Sequence, residues 1–264
     1  MKKNNFNLSI IIPLYNSTFT LEKTIDSLCH ESLKFIDDIV IYNDGSTDHA
    51  LKIIKKLKSK NSKIRCFSSK INRGGAYARN FAIKKAKNEL LKIVDADNII
   101  DPNSLIKFYK YAIKNKFRAH YQTGKYFSEN HKIIDSQDNY YKFYKKNISY
   151  QNFLKQFVPL ENFLFTKKQW KIAGGYNENT HWDTQDFGVN FLKKVGDVPI
   201  VKNTFYLHRR FVKNYKSYYE RQELSGENFF NSYKLFEIFF DDVDSSRLIF
   251  LLRRNVFSSE NIIS

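Results

Sequence analysis

Residues 8–105 of this 264-residue chain alternate short β-branched apolar runs with helix-period segments, and most of the runs end in a polar cluster. "LSIIIP" (8–13) is a continuous apolar run stopped by proline, the pattern of a buried strand. "NSTFTLEKTIDSLCHE" follows with Leu21, Ile25 and Leu28 at helical spacing behind Ser/Thr caps. "IDDIVIYND" (36–44), "KIRCFS" and "ELLKIVDAD" read as three more strands. Between and after them, helices are expected over "STDHALKIIKKLKSK", over "GGAYARNFAIKKAK" and beyond Asp101-Pro102. Strand–helix alternation with short connections predicts parallel strands in right-handed α/β units. In such sheets ligands collect at the carboxyl ends of strands. The tips Tyr15-Asn16, Asn43–Asp48 and Asp95–Asn98 are therefore expected to share one crevice.

From about residue 118 the periodicity loosens. "RAHYQTGKYFSENHKIIDSQDN" predicts strands with a hairpin, and "YYKFYKKNISYQNFLKQF" a basic, aromatic helical segment. "ENFLFTKKQWKIAGGYNEN" reads as a strand, a short helix and a Gly-Gly stop. "DTQDFGVNFLKKVG" opens a helix and "PIVKNTFYLHRRF" is a further strand, with helices expected near 215–240 and 244–257. The fold class is thus α/β, a mainly parallel Rossmann-like sheet flanked by helices, with a C-terminal helical extension.

Composition narrows the function classes. At 42% hydrophobic residues the chain has material for a real core. Cys29 and Cys66 form neither a disulfide framework nor a zinc pattern, which suits a reducing, cytoplasmic setting. The apolar run Leu8–Leu14 is too short for a signal peptide, and no window reaches the length of a membrane span. The net charge of +17 is concentrated: residues 51–92 hold fourteen Lys/Arg and one acid, Glu89. Such a surface attracts polyanions, including an anionic membrane leaflet, although a lysine-rich composition is an equal explanation.

Against this basic background, "IVDADN" (93–98) places two carboxylates one residue apart at a strand end. Hard divalent ions are held by one or two carboxylates together with substrate phosphates. A turn before Pro102 explains the same residues without a ligand. In "NDGSTD" (43–48) Gly45 permits a tight turn, Ser46 and Thr47 suit a helix cap, and Asp44 suits the imide N–H of a pyrimidine. In "NRGGAYARN" (72–80) Gly74-Gly75 suits close backbone approach, and Arg79 offers a fork for a phosphate or a carboxylate.

"SIIIPLYN", "NDGSTD", "NRGGAYARN" and "IVDADN", in that order and spacing, resemble the family-2 glycosyltransferases of the GT-A fold over roughly residues 8–105, and more loosely to about 210. The resemblance implies inverting transfer from a nucleotide-diphosphate sugar, most often a UDP-sugar, with Mn²⁺ or Mg²⁺. It places Pro13, Tyr15, Asn16, Asp44, Gly74, Arg79 and Asp95 around the donor nucleotide, and it places Asp97 at the metal. His208, after the last strand, either completes the metal sphere or packs at the surface. The family's catalytic base comes from an acidic pair opening a helix after "GG(F/Y)-x-E". Here "GGYNENTHWDTQDFGVNFL" keeps the frame but reads Gln185-Asp186, so Asp186 is the carried-over base and Asp183 the competitor. Trp170 and Trp182 flank the stretch, and core packing competes with sugar stacking for each.

These readings divide the chain into a GT-A domain over 1–210 and an aromatic, basic extension over 211–264. Within the domain, 1–105 is the nucleotide-sugar half and 106–210 the acceptor half. The expected acceptor is a saccharide or lipid-linked saccharide of cell-surface polysaccharide or lipopolysaccharide synthesis. The basic segments 140–157 and 211–240 would lie on a cytoplasmic leaflet, making the enzyme peripheral on the membrane. A homodimer through the tail stays open. Two rivals are weaker. A nucleotidyltransferase acting on sugar phosphates would need a glycine-rich first loop, which "IIPLYNSTFT" lacks. A nucleic-acid-binding protein would need a helix–turn–helix, RRM or zinc signature, and none is present.

Overall fold

Leu8–Leu14 (β1) is buried along almost its whole length, since apolar residues on both faces meet a layer of helices. Leu8, Ile10, Ile12 and Leu14 pack on one side of the sheet, and Ile11 packs on the other. The computed structural model describes residues 6–127, 133–136, 147–151, 162–179 and 183–209. The expected helices at 215–240 and 244–257, Trp182, Arg210 and most of segment 140–157 lie outside those residues.

Helix α1 (Leu21–Leu28), strand β2 (Ile36–Asp44), helix α2 (Ala50–Lys60), strand β3 (Ile64–Ser69), helix α3 (Gly75–Lys85), strand β4 (Leu90–Ile93) and helix α4 (Pro102–Lys114) follow in the expected order. Asp101 caps α4 through the Ser104 amide at 2.7 Å, with Pro102 in the first turn, where its missing N–H costs nothing. Strands β5 (Ala119–Phe127) and β6 (Ile133–Ser136) form the expected antiparallel hairpin pair. Strand β7 (Asn147–Ile148) comes next, then β8 (Phe163–Thr166), α5 (Lys167–Ala173), α6 (Asp183–Lys194) and β9 (Val198–Arg209).

The sheet runs β3-β2-β1-β4-β8-β5-β9-β7, with β6 on β5. Pairing is parallel from β3 to β4 and between β5 and β9. It is antiparallel where β8 joins β4 to β5, and where β7 meets β9. The parallel reading therefore holds for the first half and gives way to a mixed sheet in the second. Asn147–Ile148 correct the expected helix there: Ile148 is fully buried and pairs with Val198, and that ladder outweighs local helical preference. Helices α1, α2 and α4 cover one face, and α3 and α6 the other.

Strand β4 is shorter than the sequence suggests, ending at Ile93 opposite Ile11. The backbone of Pro13 has no N–H to offer on that side, so β1 and β4 part company just where the acidic loop begins. Strand β2 lies on one side of β1 and β4 on the other, so this is the topological switch point of the parallel half.

Lys92 lies 1% exposed in the middle of β4, facing the α4 layer. Its Nζ donates to the Ile93 carbonyl at 3.0 Å and sits 5.3 Å from the Tyr121 ring centroid, with no ion pair among the described residues. Burial pulls its pKa from 10.5 down to about 7, against a smaller opposing pull from Asp95. The unfolded chain thus binds a proton that the fold releases between pH 7 and 10.5. Stability should climb through that window by up to about 1.4 kcal/mol per pH unit. Lys92→Met is expected to remove this climb and to raise the urea midpoint more at pH 6 than at pH 9, as read from urea unfolding at several pH values.

Candidate active site

The rim of the crevice is built from loops that fasten to one another. Asn16 takes the left-handed conformation, φ 48°, which asparagine tolerates better than most residues. Its backbone N–H donates to the Ser46 hydroxyl at 3.0 Å, and its side-chain oxygen accepts from the amides of Thr47 at 2.8 Å and Asp48 at 3.3 Å. Asp48 then accepts from the Thr18 and Ala50 amides. The N-cap of α2 is His49, whose side chain makes no capping bond; Asp48, one residue earlier, takes the Ala50 amide, and Ser46, expected as a cap, ties the first loop to the second. Gly45, at φ 72°, is required twice over: a Cβ there would lie 2.7 Å from the Asn72 amide nitrogen. Thr20 and Thr24 both donate to the Ala96 carbonyl at 2.9 Å, which anchors the acidic loop to α1.

Asp44 closes β2 with its side chain 3% exposed. Its carboxylate accepts the amides of Arg73 and Gly74 at 2.7 to 3.0 Å, at the start of α3, where the helix dipole favours an anion. Burial raises its pKa, opposed by those two amides. Gly74 has φ 93°, and a Cβ there would meet nothing within 4 Å, so its backbone borders open space. Gly75 differs from expectation. The atom its missing Cβ clears is Arg79 Nη1, only 2.7 Å away, so the space belongs to a protein side chain.

Arg79 is the junction of the site. Nη1 donates to Asp183 Oδ2 at 2.6 Å and Nη2 to Asp95 Oδ1 at 3.1 Å, with 12% of the side chain exposed. Its guanidinium also lies 5.6 Å from the Tyr176 ring centroid. Burial opposes its charge, but Asp183 and then Asp95 outweigh burial and hold its pKa above the ordinary arginine value. Of the two roles the sequence leaves to this fork, the structure fills the carboxylate one. The next residue, Asn80, accepts the Tyr176 amide at 2.9 Å and donates to the Tyr176 carbonyl and to Glu178 Oε1 at 2.8 Å. Asn80 Oδ1 also takes the Trp170 indole N–H at 3.3 Å, so Trp170 is a core residue, 8% exposed. Sequence reasoning missed Asn80 and Glu178. Their signal was the "RN" and "NE" flanks of two motifs already in view.

Asp186 lies in the first turn of α6 and is 7% exposed. Burial raises its pKa; Asn177 and Lys194 oppose the rise and Asp183 adds to it. Asn190 Nδ2 donates to its Oδ1 at 3.2 Å. Burial and a like charge favour the protonated form of a carboxylate, which suits a group that must take up a proton.

At the far side, β9 closes on the acidic loop. The Ile99 amide donates to the Leu207 carbonyl, Arg209 N–H to Asn98 Oδ1, and Arg209 Nε to the Asp97 carbonyl at 3.1 Å. His208 is thereby seated beside the loop that carries Asp97. Ser104 fixes β9 from below, donating to the Phe205 carbonyl and accepting the Phe205 amide, both at 2.7 Å. No group of three or more His, Cys, Asp or Glu suited to a metal occurs among the described residues. One carboxylate and one imidazole nonetheless fit a hard divalent ion that takes its remaining oxygens from phosphates and water. Pro13, inside β1, and Tyr15, just after it, lie at the carboxyl end of that strand, next to the loop fastened by Asn16.

This arrangement has relatives. Residues 9–170 match the family described as Glycosyl transferase family 2. The chain is 29% identical over 172 residues to the chondroitin synthase of Pasteurella multocida, covering 65% of this chain and 17% of that protein. It is 34% identical over 134 residues to the Escherichia coli UDP-Glc:alpha-D-GlcNAc-diphosphoundecaprenol beta-1,3-glucosyltransferase, covering 51% and 46%. It thus spans less than half the length of either relative. Among solved structures, S. aureus TarS 1-349 in complex with UDP-GlcNAc superposes with a TM-score of 0.67 at 17% identity, covering 94% of this chain and 71% of that one. GalNAc-T7 with UDP, GalNAc and Mn²⁺ gives 0.64 at 15% identity, covering 81% and 46%. The fold is of GT-A type. With more than half of its length inside the family match, the chain belongs to glycosyl transferase family 2.

Proposed function

We propose that the protein is an inverting glycosyltransferase that moves a hexose or N-acetylhexosamine from a UDP-sugar to a hydroxyl of a saccharide acceptor. The observation that carries this reading is the Arg79 bridge, which joins the strand-end acids to the helix bearing Asp186 in one crevice. The donor half is 1–105 and the acceptor half 106–210. Pro13, Tyr15, Asn16 and Gly74 border the nucleotide, with Asp44 toward the base and Asp95 toward the ribose.

Asp186 takes the proton of the acceptor hydroxyl as that oxygen forms its bond to the anomeric carbon. The bond from that carbon to the diphosphate breaks on the opposite face, and UDP leaves with the electron pair. Asp97 and His208 would hold a divalent cation, Mn²⁺ or Mg²⁺. When bound, such an ion supplies Lewis-acid stabilisation to the leaving diphosphate. The donor and the ion are supported by the named contents of the TarS and GalNAc-T7 structures. A saccharide acceptor, lipid-linked in cell-surface polysaccharide or lipopolysaccharide synthesis, is supported by the names of the curated relatives. No described helix is long and apolar enough to cross a membrane. The +17 charge supports peripheral contact with an anionic cytoplasmic leaflet.

Asp186→Asn is expected to lower kcat about 10²- to 10⁴-fold, the range for a lost general base. UDP affinity by calorimetry should stay within a few-fold of wild type. Because the Asp186 pKa is raised, the base protonates and kcat/KM falls as pH drops through a value above 3.8. A panel of nucleotide-sugars scored by UDP release gives both quantities, and an Asp186→Asn variant with wild-type turnover would remove it as the base. EDTA should abolish turnover and added Mn²⁺ restore it, whereas Asp97→Ala should respond weakly to added metal. Indifference of the wild type to EDTA would refute the cation's role.

A further inference from the structure

Asp183 and Asp186 lie one helical turn apart at the start of α6, both buried, yet they are engaged differently. Asp186 meets the amide side chain of Asn190 and is influenced by Asn177 and Lys194. The Asp183 carboxylate is bound to Arg79 Nη1 at 2.6 Å, and Arg79 reaches on to Asp95 at 3.1 Å. Burial raises the Asp183 pKa against the pull of Arg79, so titration does not separate it from Asp186; what does is a carboxylate oxygen already engaged by a guanidinium. It is well suited to fix where a helix starts.

We propose that Asp183 is a positioning residue: through Arg79 it ties the first turn of α6 to the Asp95 loop, and so sets where the Asp186 carboxylate stands relative to the donor. Two further observations support the clasp. Gly75 leaves out the one side-chain atom that would meet Arg79, at 2.7 Å from Nη1 and 3.6 Å from Asp183 Oδ2. Asn80, next to Arg79 on α3, holds the turn at Tyr176–Glu178 that leads toward α6. Consecutive residues of one helix thus grip both that turn and the base helix. The inference rests on Asp186 being the base, as proposed above.

The groups facing this pair are Arg79 from α3, Asp95 from the acidic loop, Tyr176 and Asn177 from the turn, and Asn190 and Lys194 from α6. Asp183 is among them as a like charge for Asp186, so removing its charge has a signature that simple loosening of the fold lacks. The test compares wild type, Arg79→Gln, Asp183→Asn, the double variant and Asp183→Glu. Readouts are kcat, donor KM and pH profile by UDP release, with urea unfolding alongside. A misplacement of about 1 Å costs on the order of 10²-fold in rate. Asp183→Asn is therefore expected to lose tenfold or more in kcat with donor KM within threefold, and its acid limb should move to lower pH. The double variant should be no worse than the poorer single one, and Asp183→Glu should recover part of kcat.

Three results overturn the proposal: Asp183→Asn with wild-type kcat, an Asp183→Asn loss exceeding that of Asp186→Asn, or additive losses in the double variant. A loss of kcat that follows only the unfolded fraction in urea does the same. Should wild type turn over no nucleotide-sugar, the proposed function fails on its own. The Arg79 and Asp183 substitutions are then judged on unfolding alone, where additivity disproves the clasp.

Discussion

A buried guanidinium that satisfies two carboxylates from different parts of the chain is the constraint on which the shape of this crevice depends. Arg79, on α3, meets Asp95 sixteen residues later and Asp183 more than a hundred residues later. A charge so enclosed survives only if it is paired and hydrogen-bonded, and losing either partner leaves a costly remainder. The two halves of the sheet are joined by a single antiparallel strand, β8, lying between β4 and β5. The guanidinium adds a polar connection at the crevice itself, beside those that tie β9 to α4 and the acidic loop. The sheet sets the topology, and Arg79 sets the distance between the Asp95 loop and the first turn of α6.

The rim follows the same logic on a smaller scale. Asn16, Asp44, Asp48 and Thr20 spend their side chains on backbone amides and carbonyls of neighbouring loops. Loops at strand ends carry many backbone groups without ladder partners, and side-chain bonds of this kind hold them in place before any ligand arrives. Electrostatic stabilisation of a leaving group depends on donors and charges that need no rearrangement at the moment of reaction. The loops of this crevice meet that requirement through their own hydrogen bonds.

Much of this was legible in the sequence where the signal is local. The β-branched runs, the helix spacings and the Asp101-Pro102 start were each placed correctly, because burial on both faces of a parallel sheet leaves a strong pattern. The polar motifs at Asn16, Asn43–Asp48 and Asp95–Asn98 fall near one another because each lies at the carboxyl end of a strand of that parallel sheet. What escaped was non-local. Nothing near Ile148 announces a strand, since its partner Val198 is fifty residues away. Gly75 looked like room for a ligand because the sequence cannot show that Arg79, one turn on, folds back over it. Ser46 looked like a cap because its contact with Asn16 crosses from one loop to another. Lys92 falls inside a run read as a strand, but its burial depends on β8 and Tyr121, which are distant in sequence.

Ser104 exchanges two hydrogen bonds with Phe205, three residues before His208, and the Asp97 loop holds β9 just beyond it. The end of that strand is therefore registered by α4 and the acidic loop, both from the first half of the chain. These two ties add to the ladder with β5, which already sets the strand's register from His120 to Phe127. The strand end is thus doubly latched: residues between Phe205 and Arg209 can be exchanged, but one added or lost there would slip a latch.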